Sequence, residues 1–176
     1  MRVIQHLLLI GVLIGSTNTI WAQFDRRIGD WRSYLSHNKA TKSIEKAGVI
    51  YTITTGGMFS WEDATEETRS FSTVEGLSGI NPTTIYVDKS SGQIFIGYAD
   101  GMIDYFSDPR EIRQLADIKR NTFFTQKQIY QFDSNGKRLY VATDFGLVIY
   151  DLGTRLPAFT ITQIGDNPAS PFSEYL

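Results

Sequence analysis

An internal repeat constrains this chain more than anything else in it. Three segments align without gaps: Ile50-Tyr51-Thr52-Ile53-Thr54-Thr55-Gly56-Gly57, Ile94-Phe95-Ile96-Gly97-Tyr98-Ala99-Asp100-Gly101 and Leu139-Tyr140-Val141-Ala142-Thr143-Asp144-Phe145-Gly146. Each opens on an aliphatic–aromatic pair, closes on a glycine, and continues into a second apolar run that ends in Trp61, Tyr105 or Tyr150. The segments start about 44 residues apart, the length of one four-stranded propeller blade. Tyr51, Gly57, Phe95, Gly101, Tyr140 and Gly146 are therefore the residues that define the repeat.

The flanks repeat as well. A strand and tight turn precede each core segment, at Ile44–Gly48, Ile85–Gly92 and Ile129–Gly136. Asp88-Lys89-Ser90-Ser91-Gly92 and Asp133-Ser134-Asn135-Gly136 carry the glycine and asparagine that tolerate positive φ in such turns. An outer strand is expected after each core segment, around Arg69–Thr73, Ile112–Leu115 and Phe159–Ile164. The polar stretch Asp108–Ile118 reads as strand and loop rather than helix.

The expected fold class is all-β, a β-propeller of four-stranded antiparallel blades, with blades near 43–73, 84–117 and 128–164. Trp31 opens the segment Trp31-Arg32-Ser33-Tyr34-Leu35, which suits a latch strand that joins the last blade and closes a ring. Propellers need about 4–8 blades, so residues 23–176 read as the N-terminal part of a longer propeller. Three blades with open edges are not expected to fold well alone.

The N-terminus reads as a signal peptide over residues 1–22. Arg2 supplies a positive start, the run Leu7–Ile14 is apolar, and Ala22 suits the position before cleavage, with Gln23 after it. The run stops well short of the roughly 20 apolar residues of a spanning helix. The mature chain is therefore expected to be exported, to the periplasm or the outer-membrane cell surface, with no transmembrane helix after signal removal.

Composition removes several functions. Lys and Arg total 17 against 19 Asp and Glu, a net charge of -2, which argues against a nucleic-acid partner. There is no cysteine, which excludes disulfides, thiolate metal sites and an N-terminal lipoprotein anchor. With only His6 and His37, a histidine-rich metal site cannot be built, and no metal or cofactor is expected.

No catalytic constellation emerges either. Gly76-Leu77-Ser78-Gly79 resembles a nucleophile elbow at a glance, but Ile80 stands where the second glycine belongs and no histidine follows. Gly136-Lys137 lacks the rest of a phosphate-binding loop. Asp133–Gly136 lacks the ligand ladder of a calcium loop. His37 reads as a loop residue, and Asp63, Glu66 and Glu67 as an exposed charged loop. Asp100 and Asp144 read as one repeat position ahead of the glycine turn, a recurrence that marks structure rather than catalysis. The chain is expected not to be an enzyme.

Phe71-Ser72-Thr73-Val74-Glu75-Gly76-Leu77-Ser78 is similar to the blade junctions of bacterial two-component regulator propeller repeats. Ile28-Gly29-Asp30-Trp31-Arg32-Ser33-Tyr34-Leu35, followed by the blade Ile50–Trp61 with Gly56-Gly57-Met58-Phe59, resembles the N-terminal propeller of the PorZ family of the type IX secretion system of Bacteroidetes. The resemblance runs from about Phe24 to Leu152. It implies a surface-exposed, non-enzymatic subunit of the attachment complex, implicated in delivering anionic lipopolysaccharide. The implied partners are other secretion-complex proteins and anionic lipopolysaccharide or another glycan. The family's second propeller and C-terminal β-domain are not in this sequence, and no functional residue is carried over. The alternatives are the extracellular sensor propeller of a hybrid two-component regulator, a carbohydrate-active propeller enzyme and a propeller adhesin.

Overall fold

The computed structural model describes residues 39–162, so the signal segment with Ala22 and Gln23, the latch residue Trp31, and His37 lie outside the described residues. Among the described residues, twelve strands form three separate four-stranded antiparallel sheets. The first is β1 (Ala40–Lys46), β2 (Val49–Thr54), β3 (Gly57–Glu62) and β4 (Glu67–Phe71). The second is β5 (Thr84–Val87), β6 (Ile94–Gly97), β7 (Ile103–Phe106) and β8 (Arg113–Leu115). The third is β9 (Ile129–Ser134), β10 (Arg138–Thr143), β11 (Gly146–Asp151) and β12 (Pro157–Ile161).

Each sheet is an up-and-down meander, with its strands hydrogen-bonded in chain order. A meander of this kind places its first and third turns at one end and its second turn at the other. The connectors between sheets, 72–83 and 116–128, start and finish at the second-turn end. The sheets approach one another along their first strands, β1 beside β5 and β5 beside β9. That is the arrangement of blades around an axis; among the described residues no sheet closes on itself.

Burial follows from alternation. Ile94 and Ile96 on β6 join Tyr51, Ile53, Met58 and Ile85 in the core between the first and second sheets. Phe95, between them in sequence, points the other way and packs with Ile129, Phe132, Leu139 and Val141 between the second and third. All four residues of β6 are buried. A strand covered on both faces reads as a continuous apolar run rather than an alternating one, which is the pattern of Ile94-Phe95-Ile96.

The repeat is not uniform at its glycines. In the first and third sheets a two-residue turn joins strands two and three, with Thr54 opposite Gly57 and Thr143 opposite Gly146. In the second, Gly97 pairs with Ile103 and the Tyr98 N–H donates to the Met102 carbonyl at 3.1 Å. One residue more is looped out there. Gly101 therefore does a different job from its sequence counterparts: it turns the chain at φ 84°, the position a three-residue hairpin gives to glycine.

Three other expectations shift. A four-residue helix, α1 (Asp117–Arg120), begins at the tail of the stretch read as strand and loop. Asp117 in its first turn and Lys119 and Arg120 in its last match the polarity of the helix ends. The outer strands β4 and β12 begin two residues earlier than expected, at Glu67 and Pro157. Asp100 and Asp144 are not one repeat position. Asp100 sits second in the longer loop and accepts from the Met102 N–H and the Lys119 ammonium, whereas Asp144 sits first in the shorter turn and accepts from the Gln128 N–H and the Tyr130 hydroxyl.

Candidate functional site

The most organised polar cluster sits at the junction of the first two sheets, within Phe71-Ser72-Thr73-Val74-Glu75-Gly76-Leu77-Ser78. Phe71 closes β4 and is buried in the first core, as is Leu77. Between them the Glu75 carboxylate accepts from the Ser72 N–H at 2.7 Å and the Ser72 hydroxyl at 2.6 Å, and the Leu77 N–H donates to the Ser72 carbonyl at 3.0 Å. Gly76 takes φ 108°, which a side chain would resist. The compact loop delivers Ser78 to Asp104 on β7.

Asp104 is fully buried. It accepts from the Ser78 N–H at 2.8 Å, from the Ser78 hydroxyl, and from the Tyr98 hydroxyl at 2.7 Å. Burial raises the Asp104 carboxyl above its ordinary range, and the three hydrogen bonds offset that only in part. Burial, with the facing Asp104 charge, also raises the Tyr98 phenol, which stays a donor. The Ser78 hydroxyl is thus held as a donor to a buried carboxyl. Its role in this geometry is to pin the connector onto the second sheet.

A second buried carboxylate, Asp88, ties the second sheet to the third. It accepts from the Ser90 hydroxyl at 2.7 Å, the Ser91 hydroxyl at 2.5 Å and the Ser91 N–H at 3.0 Å within its own turn. Across the sheet boundary it accepts from the Ser134 hydroxyl at 2.5 Å, which is also 3.0 Å from the Tyr86 hydroxyl. Burial works against the Asp88 charge, but the Ser134, Ser91 and Ser90 hydroxyls outweigh it and hold the carboxyl well below its ordinary range. A depressed carboxyl contributes stability that is present above its unfolded pKa and lost as pH falls toward the folded one. Wild type is therefore expected to lose stability relative to Asp88→Asn as pH drops below about 4, read as the difference between their urea midpoints at each pH. A difference constant from pH 6 to pH 2.5 would remove this assignment.

Of the repeat-defining residues, Tyr51 and Phe95 are buried and Tyr140 is half-buried. Phe95 packs against the third sheet, stacking on Tyr105 at 6.0 Å between centroids and lying tilted to Phe132 at 6.1 Å. Asp63 and Glu66 lie in an exposed turn, with Glu67 opening β4 beside it. Asn135 and Gly136 form a hairpin turn in which the Asn135 side-chain oxygen accepts from the Lys137 and Arg138 N–H groups. Among the described residues no group of three His, Cys, Asp or Glu is placed to hold a metal ion. No helix among them is long and apolar enough to cross a membrane.

Neither buried carboxylate network was legible in the sequence. Ser78 is 26 residues from Asp104 and Ser134 is 46 from Asp88, and no spacing rule links such pairs. Their only signal is an acid placed in or beside an apolar strand, where an unpaired charge is not tolerated.

Comparison with solved structures places the arrangement among propellers. The chain is similar to PorZ, an essential bacterial surface component of the type IX secretion system of Porphyromonas gingivalis, with TM-score 0.69 and 24% identity over 77% of this chain and 18% of that one. It is also similar to the extracellular domain of what is described as a one-component system of B. thetaiotaomicron, with TM-score 0.56 and 16% identity over 74% of this chain and 18% of that one. A third similar structure is the extracellular domain of a hybrid two-component system of the same organism, at TM-score 0.50 and 18% identity over 72% and 18%. The chain spans under a fifth of the length of each. A search of curated proteins finds no match. A family model described as "TSS9, PorZ, N-terminal beta-propeller domain" matches residues 50–161, well over half of the 176. The three sheets, their connectors and that match together make this chain a member of the PorZ N-terminal β-propeller family.

Proposed function

We propose that the chain is a non-catalytic, exported interaction module of the type IX secretion apparatus. It docks other proteins of the attachment complex at the periplasmic or outer face of the outer membrane, and serves the complex's delivery of anionic lipopolysaccharide. Family membership over residues 50–161 carries this reading. The physical support is a set of sheets with polar ties and looped ends, in which the half-buried serines and buried acids are occupied with one another.

The test is co-purification of the epitope-tagged chain from the cross-linked envelope of its native host, with protease shaving of intact cells to separate the two faces. Type IX components are expected to dominate the recovered proteins. Recovery of a histidine kinase or response regulator in their place would favour the sensor reading, which the two B. thetaiotaomicron extracellular domains of like fold keep open.

A further inference from the structure

A cavity of about 150 Å³ lies between the third sheet and the connector that leads to it from the second. Its apolar wall is made by Ile118 of α1, Phe145 of the turn before β11, Val148 of β11 and Pro157 of β12. Asp117, which opens α1, is the one charged residue lining it. The wall is held in place from behind. Phe145 stacks on Phe124 with ring centroids 4.0 Å apart, and Ile118 and Val148 belong to the core between the second and third sheets.

Asp117 is half-buried and reachable, yet among the described residues its carboxylate has neither a hydrogen bond nor an ion pair. The neighbouring cations are engaged elsewhere. The Lys119 ammonium pairs with Asp100 at 2.7 Å, and the Lys127 ammonium donates to the Lys119 carbonyl at 2.8 Å. Arg120, one turn further along, makes no ion pair with Asp117. Behind the wall the Tyr150 hydroxyl is buried without a hydrogen-bond partner, and burial and then the Asp117 charge raise its phenol. Burial keeps that hydroxyl from touching a ligand but not from the Asp117 field, so it senses whatever neutralises the carboxylate. A carboxylate beside an apolar wall, with no counter-ion of its own, is completed by a cation that carries an apolar stem.

We propose that this cavity binds a primary alkylammonium group, the chemistry of a lysine side chain. The methylene stem lies along Phe145, Val148 and Pro157, and the ammonium pairs with Asp117. Size and sign both select it. A cavity of about 150 Å³ holds a benzene ring, and a lysine side chain has similar bulk. An anion would meet the Asp117 charge with no cation in the lining to offset it, and a purely apolar group would leave the carboxylate without a partner. The site requires neither the type IX reading nor a type IX partner.

The test uses the full chain, with the Val148 methyl and Tyr150 ring signals followed by NMR; Val148 reports contact and Tyr150 the charge at Asp117. Three probes are titrated: acetyl-Ala-Lys-Ala-amide, acetyl-Ala-norleucine-Ala-amide and n-butylammonium chloride. The lysine peptide is expected to shift both signals saturably and to bind about tenfold more tightly than the norleucine peptide, which has the stem without the charge. Asp117→Asn is expected to weaken the lysine peptide about tenfold and to leave the norleucine peptide unchanged, which also shows that the cavity is intact. Asp117→Glu keeps the charge and is expected to stay within about threefold of wild type. No movement of Val148, equal binding of the two peptides, an unchanged lysine affinity in Asp117→Asn, or an equal loss in the Asn and Glu variants would each overturn the proposal. Where it holds, butylammonium binding as tightly as the lysine peptide identifies a free amine as the ligand, and weaker binding identifies the lysine of a partner.

Discussion

Replacing Asp104 by alanine is expected to lower the unfolding free energy by about 3–5 kcal/mol, the cost of breaking a buried polar network from one side. The substitution removes the acceptor of the Ser78 N–H, the Ser78 hydroxyl and the Tyr98 hydroxyl, all three of which donate to the carboxylate. It also frees the connector from the second sheet, so loss should appear as a lower denaturant midpoint with exchange of the Ser78 amide quickened first. Asp104→Asn keeps one acceptor but sets an amide N–H₂ against donors, and is expected to cost about half as much. The two variants also report the charge. A carboxyl raised by burial holds its proton more tightly in the folded chain, so its contribution is complete at low pH and lost as pH rises through the folded pKa. Wild type should therefore lose stability relative to Asp104→Asn on going upward from about pH 4, the reverse of the trend at Asp88. An alanine variant within about 1 kcal/mol of wild type would show that Ser78 and Tyr98 find other partners.

Gly146→Ala is expected to cost about 3–5 kcal/mol and to open the outer strand of the third sheet. A Cβ at this position would stand 2.1 Å from the Ile161 carbonyl oxygen, and the backbone sits at φ 136°. The obstacle is backbone, so relief requires β12 to leave β11. Gly57 repeats the geometry, with a Cβ 2.4 Å from the Phe71 carbonyl oxygen. Gly136→Ala is the control: φ is 83°, but the nearest atom is the Ser90 hydroxyl at 3.1 Å, and only the left-handed penalty of about 1 kcal/mol is expected. Equal unfolding midpoints for the Gly146 and Gly136 variants would refute the close approach of the third and fourth strands.

The repeat made the strands legible because propeller blades restate the same alternation and the same turn chemistry at fixed intervals. Ile94-Phe95-Ile96 is readable as a doubly covered strand from composition alone. The glycine alignment was misleading in the second unit. Gly101 stands where Gly57 and Gly146 stand in sequence, yet the extra looped residue gives the pairing position to Met102. Sequence periodicity counts residues, while the ladder counts pairs, and a three-residue hairpin satisfies the first without the second. Ser78 reads as part of a turn, but its acceptor Asp104 leaves no local signal, because the bond depends on how a connector folds back across a sheet. The contacts of Arg155 left less trace still, since its partners Gln93 and Tyr105 belong to another sheet.

Because β6 gives Ile94 and Ile96 to one core and Phe95 to the other, the second sheet is a shared wall. Its backbone cannot shift to suit one neighbour without disturbing its fit to the other. Among the described residues the three sheets then behave as a one-dimensional array with nearest-neighbour coupling, in which the first reaches the third through the middle one. Strain introduced at the third sheet thus has a mechanical route to the Phe71–Ser78 junction at the far side of the wall.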